Sequence, residues 1–258
     1  MAVDLLRRLD LHRQQDGQSS LQGRLTKQYE SNGLECTIVY SHCTPGEIGQ
    51  VIRKEISLAE RAKYTLEWKV YDHDMPANLK EHLLLAGFSP GPVESLMALR
   101  LSQEALRAFQ SPAYEIRPIR DPKRLMDVSA ISREIGRTNV EEERKRLALT
   151  LQENPERMSV YVAYIDDEPV ACGRIYFDEE SKVAEISGGR TKTTHRKQGL
   201  YNALVSERLK EAIARGCTYV FVDALPTSEP ILKKRGFEFL VHTQPFIYRP
   251  KSLGAKKE

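Results

Sequence analysis

The sequence predicts an α/β (α+β) protein, built on a mixed, mostly antiparallel sheet that contains one parallel strand–helix–strand unit. Three observations lead there. The run Tyr219-Val220-Phe221-Val222-Asp223-Ala224 stays apolar until Asp223, as a parallel strand covered on both faces does. Ahead of it, Tyr201, Leu204, Val205, Leu209, Ala212 and Ile213 fall on one broad helical face, with Glu207, Lys210 and Glu211 opposite and Gly216 as the stop. Further upstream, strand-like runs at 159–164 and 169–177 flank Asp166-Asp167-Glu168 as a hairpin, and Val183 to Ser187 extends that sheet.

Taken in order, residues 1–30 predict a short amphipathic helix followed by a polar connector through Gln14 to Ser20. Glu35 to Tyr40 is the first strand. Thr44 as N-cap, Pro45 at the first position and Glu47 three residues on predict a helix start, and Ile48, Val51, Ile52 and Ile56 supply its apolar stripe. Tyr64 to Tyr71, rich in aromatic and β-branched residues, predicts a strand. Asp72-His73-Asp74-Met75-Pro76 leads into a helix carrying Leu79, Leu83, Leu84 and Leu85, which stops at Gly87-Phe88 before a strand over Leu96 to Leu99. Asp72, His73 and Asp74 read as a capped turn, because three neighbours on one turn converge poorly on a metal. The order strand, Pro-containing turn, helix, Gly-Phe, strand recurs at 219–248 with Gly236-Phe237. It reads as an internal duplication, with a coincidence of common turn chemistry as the alternative.

Ser102 to Ser111 predicts a polar helix ended by Ser111-Pro112, and the domain boundary is placed there: residues 1–110 and 111–258. Tyr114 to Ile119 opens the second domain as a strand. Asp121-Pro122 starts a helix with Leu125, Met126 and Val128, and helix continues over Val140 to Leu151. Within it the charge run Glu141 to Arg146 reads as a solvated face with i,i+4 pairs; shaping an acceptor pocket is the other reading.

Composition bounds the function. The 258 residues are 40% hydrophobic and 29% charged, which fits a globular chain with a substantial core. A net charge of +3, spread along the chain beside acids, lacks the concentrated basic face that nucleic acid requires and favours a small anionic ligand. Cys36, Cys43, Cys172 and Cys217 form no CxxC pair and no zinc-spaced group with His; Cys172 and Cys217, in apolar strand surroundings, read as buried thiols, and the expectation is no metal and a reducing, cytoplasmic compartment. No signal-peptide core or membrane-spanning run is present, so no membrane partner is expected.

The segment Thr191-Lys192-Thr193-Thr194-His195-Arg196-Lys197-Gln198-Gly199-Leu200-Tyr201 sits between a strand and a helix start. Free N–H groups and partial positive charge at a helix N-terminus suit phosphate, Gly199 permits close backbone approach, and Lys192, Arg196 and Lys197 add charge. There is no G-x-x-x-x-G-K-[ST], and Gly188-Gly189 is not G-x-G-x-x-G. Here the sequence resembles the GNAT family of acetyl-CoA-dependent N-acyltransferases. Arg196 to Gly199 match the first four positions of its pyrophosphate loop, Q/R-x-x-G-x-G/A, with Tyr201 in place of the last small residue. Ser228 to Phe237 resembles the A-x-x-L-Y-x-K-x-G-F segment that ends the fold. The resemblance covers about 114–248, and Glu67 to Tyr71 with Leu83 to Phe88 make the first half look like a degenerate module of the same kind. The first half has no counterpart to Arg196–Tyr201 and is expected to lack that ligand site.

What the resemblance implies is a GNAT fold in two GNAT-like domains, with Thr191, Lys192, Thr193, Arg196, Lys197, Gln198, Gly199, Leu200 and Tyr201 as cofactor-binding residues. It implies direct transfer of an acetyl group from acetyl-CoA to the amine of a small molecule or peptide; a homodimer is compatible with it. Backbone N–H groups near Ser187 to Thr193 would polarise the thioester oxygen. Leu232 stands where the family often has a catalytic Tyr, leaving Ser228, Tyr201 or water as the acid. Glu185 is the first base candidate, on the strand feeding the loop, with a paired or solvent-facing carboxylate as its other role. Asp223, at the end of a buried strand, is the second, with capping of the next turn as its alternative. His195 reads as facing solvent beside the phosphates. The competing class is a non-catalytic acyl-CoA-binding or regulatory module.

Overall fold

The computed structural model describes residues 2–250 except 16, 21, 22, 31, 32 and 179. In chain order the elements are α1 (Ala2–Gln15), β1 (Gln18–Ser20), β2 (Leu25–Tyr29), β3 (Glu35–Ser41), α2 (Ile48–Ala62), β4 (Thr65–Tyr71), α3 (Leu79–Leu85), β5 (Ser89–Pro90) and β6 (Glu94–Arg100). There follow α4 (Gln103–Arg107), β7 (Glu115–Ile119), α5 (Leu125–Glu134), α6 (Val140–Glu153), β8 (Met158–Ile165), β9 (Glu168–Asp178), β10 (Val183–Thr191), α7 (Leu200–Ala214), β11 (Tyr219–Ala224), α8 (Glu229–Lys233) and β12 (Glu238–Tyr248). The chain divides into two units. One holds the described residues through Leu96 with Ala224–Glu229 and those from Phe239 on; the other holds Met97–Asp223 and Pro230–Glu238.

In the first unit the strand order is β1-β2-β3-β4-β12. β3 and β4 run parallel, joined by α2, and the other pairs are antiparallel. β12 belongs here although it comes last in sequence, because its Thr243 to Tyr248 pair with Tyr71 to Leu66 of β4. The core gathers Ile38, Leu66 and Trp68 from the sheet with Ile48, Ile52, Leu79 and Leu83 from the helices. The amphipathic helix expected in the first thirty residues is α1, but the polar stretch after it contains β1 and leads to β2, two short strands with no clear apolar alternation. The helix start expected at Thr44 and Pro45 is displaced: α2 begins at Ile48, and Thr44 instead receives the Ile48 N–H on its backbone carbonyl in a lead-in turn. The run 72–74 is a turn as expected, and no group of metal-ligating side chains occurs among the described residues. Its Asp74 receives a bidentate bond from Arg13 of α1 at 2.9 Å, and that guanidinium stacks 3.5 Å over the Tyr71 ring.

The second unit orders its strands β11-β10-β9-β8-β7. β10 and β11 are parallel and the remaining pairs antiparallel, so the expected mixed sheet with one parallel strand–helix–strand unit is present. The hairpin turns at Asp166 and Asp167, both with positive φ. One sheet face packs Leu125, Val128, Ile131, Leu147 and Leu151 of α5 and α6 against Met158, Val160, Val162 and Cys172. The other receives α7 through Leu204, Val205, Leu209 and Ala212. Asp121-Pro122 opens a single 3₁₀ turn rather than α5 itself. The charge run of α6 is only partly a solvated face: Glu141 pairs with Arg133 and Arg144, while Glu143 is buried and turned toward the sheet. All four cysteines are free thiols; Cys172 is buried, and Cys217 lies half-buried ahead of β11 rather than within a strand.

The Gly-Phe helix stop recurs with the same local geometry. α3 ends with Gly87 at φ 89° and a Phe88 N–H that returns 3.1 Å to the Leu83 carbonyl. α8 ends with Gly236 at φ 94° and a Phe237 N–H that returns 3.1 Å to the Leu232 carbonyl. Both are the six-residue, left-handed helix stop that Gly makes without steric cost, with the following Phe buried. No helix among the described residues is long and apolar enough to cross a membrane.

Arg13→Ala leaves the Asp74 carboxylate buried without its cation and is expected to cost about 3–5 kcal/mol of stability, read by denaturant unfolding.

Candidate active site

Strand β10 and helix α7 position the site. β10 is registered with β11 through Val183/Tyr219, Ala184/Val220 and Glu185/Phe221, and no later pairs occur among the described residues. On its other side the register with β9 shifts between Ser187 and Arg190. Gly188 and Gly189 therefore lie outside both ladders, in a bulge that opens where the parallel strands part. Gly188 needs to be glycine, and Gly189 is in close contact. Gly188 has φ 61°, and a Cβ there would stand 2.4 Å from the Arg174 guanidinium; a Cβ on Gly189 would stand 3.0 Å from the Tyr201 ring.

Beyond Thr191 the chain makes a 3₁₀ turn over Thr193–His195 and then enters α7. Lys197 and Gly199 take positive φ, 64° and 91°, and Gly199 is the residue at the helix N-cap. The first amide to bond back is that of Ala203, to the Gly199 carbonyl at 3.0 Å. The N–H groups of the opening turn thus have no partner within the helix. The turn is held by the Tyr114 hydroxyl donating to the Gln198 carbonyl at 2.5 Å, Arg196 Nε to the Thr191 carbonyl at 3.3 Å, and Gln198 Nε2 to the Thr194 carbonyl at 3.5 Å. Thr193, Arg196, Lys197 and Gln198 are exposed, and His195 is half-buried with Nδ1 2.9 Å from the Thr194 hydroxyl. A cleft of about 570 Å³ opens beside α7, lined by Pro112, Tyr114, Ala203, Ser206 and Lys210 among others.

Two residues of the loop behave differently from their sequence reading. Lys192 is buried, its ammonium 2.5 Å from Glu168 and 3.4 Å from Glu134, and its N–H is bonded to the Val170 carbonyl. Burial disfavours its charge, but the two carboxylates outweigh that and raise its pKa. It offers a ligand neither charge nor amide. Tyr201, where a small residue was expected, lays its ring against Gly189, so the bulky helix residue and the bare strand residue fit one another.

The acid–base candidates fall in different places. Strand alternation and pairing put Glu185, opposite Tyr176 and Phe221, on the sheet face shared by Arg174 and packed by α5 and α6. Glu185 is exposed, three residues or about 10 Å before Gly188. Asp223 is half-buried, two residues past Phe221, on the β11 side of the opening as Ser187 is on the β10 side. Ser228 belongs to the first unit and donates its hydroxyl to the Leu225 carbonyl at 3.1 Å. Leu232 is fully buried.

Around the bulge lies a charge cluster that no sequence pattern revealed. Glu143 accepts from Arg174 at 3.0 Å and from Arg190 at 2.6 Å and 2.7 Å, and Arg190 also reaches the Ser132 hydroxyl. Burial alone would raise Glu143, but the two guanidiniums hold it below the usual carboxylate range. On the opposite face Arg208 of α7 is 1% exposed and, among the described residues, donates only to backbone carbonyls: Leu204 at 2.9 Å, Arg174 at 3.2 Å and Ser187 at 3.4 Å. Burial without a carboxylate pushes its pKa down to about 10. Its guanidinium occupies the space above Gly173, where a Cβ would lie 2.8 Å away. A lone Arg within an amphipathic helix pattern carries no signal of burial; the partner signal is a glycine in the facing strand.

The chain therefore places a turn with two positive-φ residues at the head of a crossover helix, beside a parallel pair whose register ends before a bulge. Residues 125–237 match the model of the acetyltransferase (GNAT) family. The fold is also that of a GCN5-related N-acetyltransferase from Kribbella flavida (16% identity, 96% of both chains, TM-score 0.66). It is shared with a tandem GNAT protein from the clavulanic acid biosynthesis pathway (14% identity, 87% of this chain and 78% of that one, TM-score 0.63). A conserved protein of unknown function from Staphylococcus epidermidis has it as well (16% identity, 91% and 95%, TM-score 0.68). No curated protein matches in sequence.

Gly173→Ala drives a methyl group into the Arg208 guanidinium and is expected to cost about 1–3 kcal/mol, measured as a shift in denaturant midpoint.

Proposed function

We propose that this chain transfers an acetyl group from acetyl-CoA to the amine of a small molecule or peptide by direct attack. The observation that carries the reading is the Arg196–Tyr201 turn, with its positive-φ Gly199 at the N-cap, a helix whose first bond back runs from Ala203 to Gly199, and its exposed cations. A pyrophosphate fits that donor set. The amides of Gly199, Leu200 and Tyr201 would hold it, Arg196 and Lys197 would neutralise it, and Thr191, Thr193 and Gln198 would complete the rim. The neighbouring cleft has the volume that a nucleotide end requires. On this reading the donor site lies within Met97–Asp223 of the second unit, and the first unit holds no second donor site.

Bound there, acetyl-CoA supplies an acyl thioester. The amides of Gly188 and Gly189, released from both ladders, are the donors available to the thioester carbonyl. An acceptor amine with a pKa near 10.4 must lose a proton before it attacks. Glu185, on the face packed by α5 and α6, takes that proton directly or through water, and Asp223 at the strand split is the second candidate. Leu232 has no proton to give, so Tyr201 or water is the proposed acid. That same buried leucine favours the second reading, a non-catalytic acyl-CoA-binding module.

Gly199→Glu places a side chain at positive φ and a carboxylate among the phosphate donors. It is expected to weaken coenzyme A binding by more than about 100-fold in calorimetry while the circular dichroism spectrum stays native; unchanged affinity sinks the assignment. Thiol release from acetyl-CoA across a panel of amines separates enzyme from binding module. Glu185→Gln should lower kcat by about 10²-fold with little change in the KM for acetyl-CoA, and an unaffected kcat transfers the base role to Asp223.

A further inference from the structure

We infer that Arg208 is a positioning residue for acyl transfer: from inside α7 it holds the Ser187 carbonyl and thereby aims the Gly188 amide at the substrate. The inference rests on the transferase reading above.

Arg208 makes no sense as a stabilising residue alone. A guanidinium 1% exposed would ordinarily meet a carboxylate, yet its three hydrogen bonds go to carbonyl oxygens, and Nη2 has no partner among the described residues. Glu143 is committed to Arg174 and Arg190 across the sheet. The fold also gives up a side chain at Gly173 to make room for the guanidinium. Local conflicts of this kind concentrate at functional sites.

What Arg208 grips explains the conflict. Ser187 is the last β10 residue in register with β9 before the bulge, paired there with Arg174, and Arg208 donates to the carbonyls of both partners. The peptide joining Ser187 to Gly188 is planar and trans, so a fixed carbonyl direction fixes the Gly188 N–H in the opposite direction. That N–H therefore points away from α7, toward the face where Glu185 lies. The Gly188 Cα is hemmed from that face by the Arg174 guanidinium, itself locked by Glu143. Two guanidiniums thus bracket a stretch of backbone that the ladders have released. With Arg208 gone, the peptide is free to rotate and the donor loses its aim.

The test compares wild type with Arg208→Met and Arg208→Lys in the full chain. The measurements are coenzyme A calorimetry, hydrogen exchange of the 186–191 segment, thermal unfolding, and thiol release with an amine that the panel identifies. The Met variant removes the buried charge and keeps much of the volume. Expected are a coenzyme A affinity within about 2-fold of wild type and amide exchange at Gly188 and Gly189 at least about 10-fold faster. Expected too are a melting midpoint within about 4 °C of wild type or above it, and a kcat about 100-fold lower at unchanged KM. The Lys variant, which keeps a donor, should recover part of the kcat, and it replaces Met in every comparison if Met does not fold. Unchanged exchange, or a lowered midpoint with kcat intact, overturns the inference and leaves Arg208 a packing residue. A wild type that binds no coenzyme A overturns the transferase reading instead, while the exchange arm still decides whether Arg208 holds the bulge.

Discussion

Two adjacent residues without side chains let β10 leave both of its neighbours within a few ångströms of chain. At Gly188 the backbone turns into a region that L side chains rarely adopt, and at Gly189 it passes under the Tyr201 ring. The remaining features of the site depend on that departure. The parallel pairing with β11 stops after Glu185/Phe221, so an opening forms between the strands. The strand then resumes its register with β9 at Arg190/Cys172 and delivers Thr191 to the turn that enters α7. A bulge of this kind loses ladder hydrogen bonds worth about 1 kcal/mol each, and the structure offsets the loss by fastening the released backbone from both faces.

The fastenings differ in kind. On the α5–α6 face the buried charges are paired: Glu143 bridges Arg174 and Arg190, so helix, β9 and β10 are tied through one carboxylate. On the α7 face Arg208 stands alone among carbonyls. The first arrangement holds position with charges neutralised. The second leaves a positive excess beside a backbone donor in a low-dielectric interior, where a fixed dipole or charge acts most strongly on developing negative charge. An acyl transfer builds negative charge on the thioester oxygen and on the departing sulfur.

Local chemistry was legible in the sequence and long-range chemistry was not. The Arg196–Gly199 turn, the amphipathic α7, the apolar β11 and the Gly-Phe stops are written in neighbouring residues, and each formed as read. The Thr44-Pro45 start failed for the same local reason: its turn exists, but it leads into α2 rather than opening it. Lys192 looked like a phosphate ligand because its partners, Glu168 and Glu134, are 24 and 58 positions away in the chain. Glu143 looked solvated because its arginines come from two later strands. Arg208 gave no signal at all, since only the fold reveals that Gly173 leaves it space.

The first unit contains the same topological piece, parallel β3 and β4 joined by α2, and its helix start is closed from within. Glu47 precedes α2 and takes Arg24 Nη1 at 2.9 Å and 3.2 Å. Burial opposes its charge, but hydrogen bonds from Thr44 together with the Arg24 guanidinium outweigh it and hold the carboxyl below the usual range. A phosphate approaching α2 would meet a carboxylate where, in the second unit, it would meet Arg196, Lys197 and the bare Gly199. The helix dipole is the same at both ends; the sign of the nearest side chain decides whether it can serve a ligand. That difference makes the start of α2 a poorer place for an anion than the start of α7.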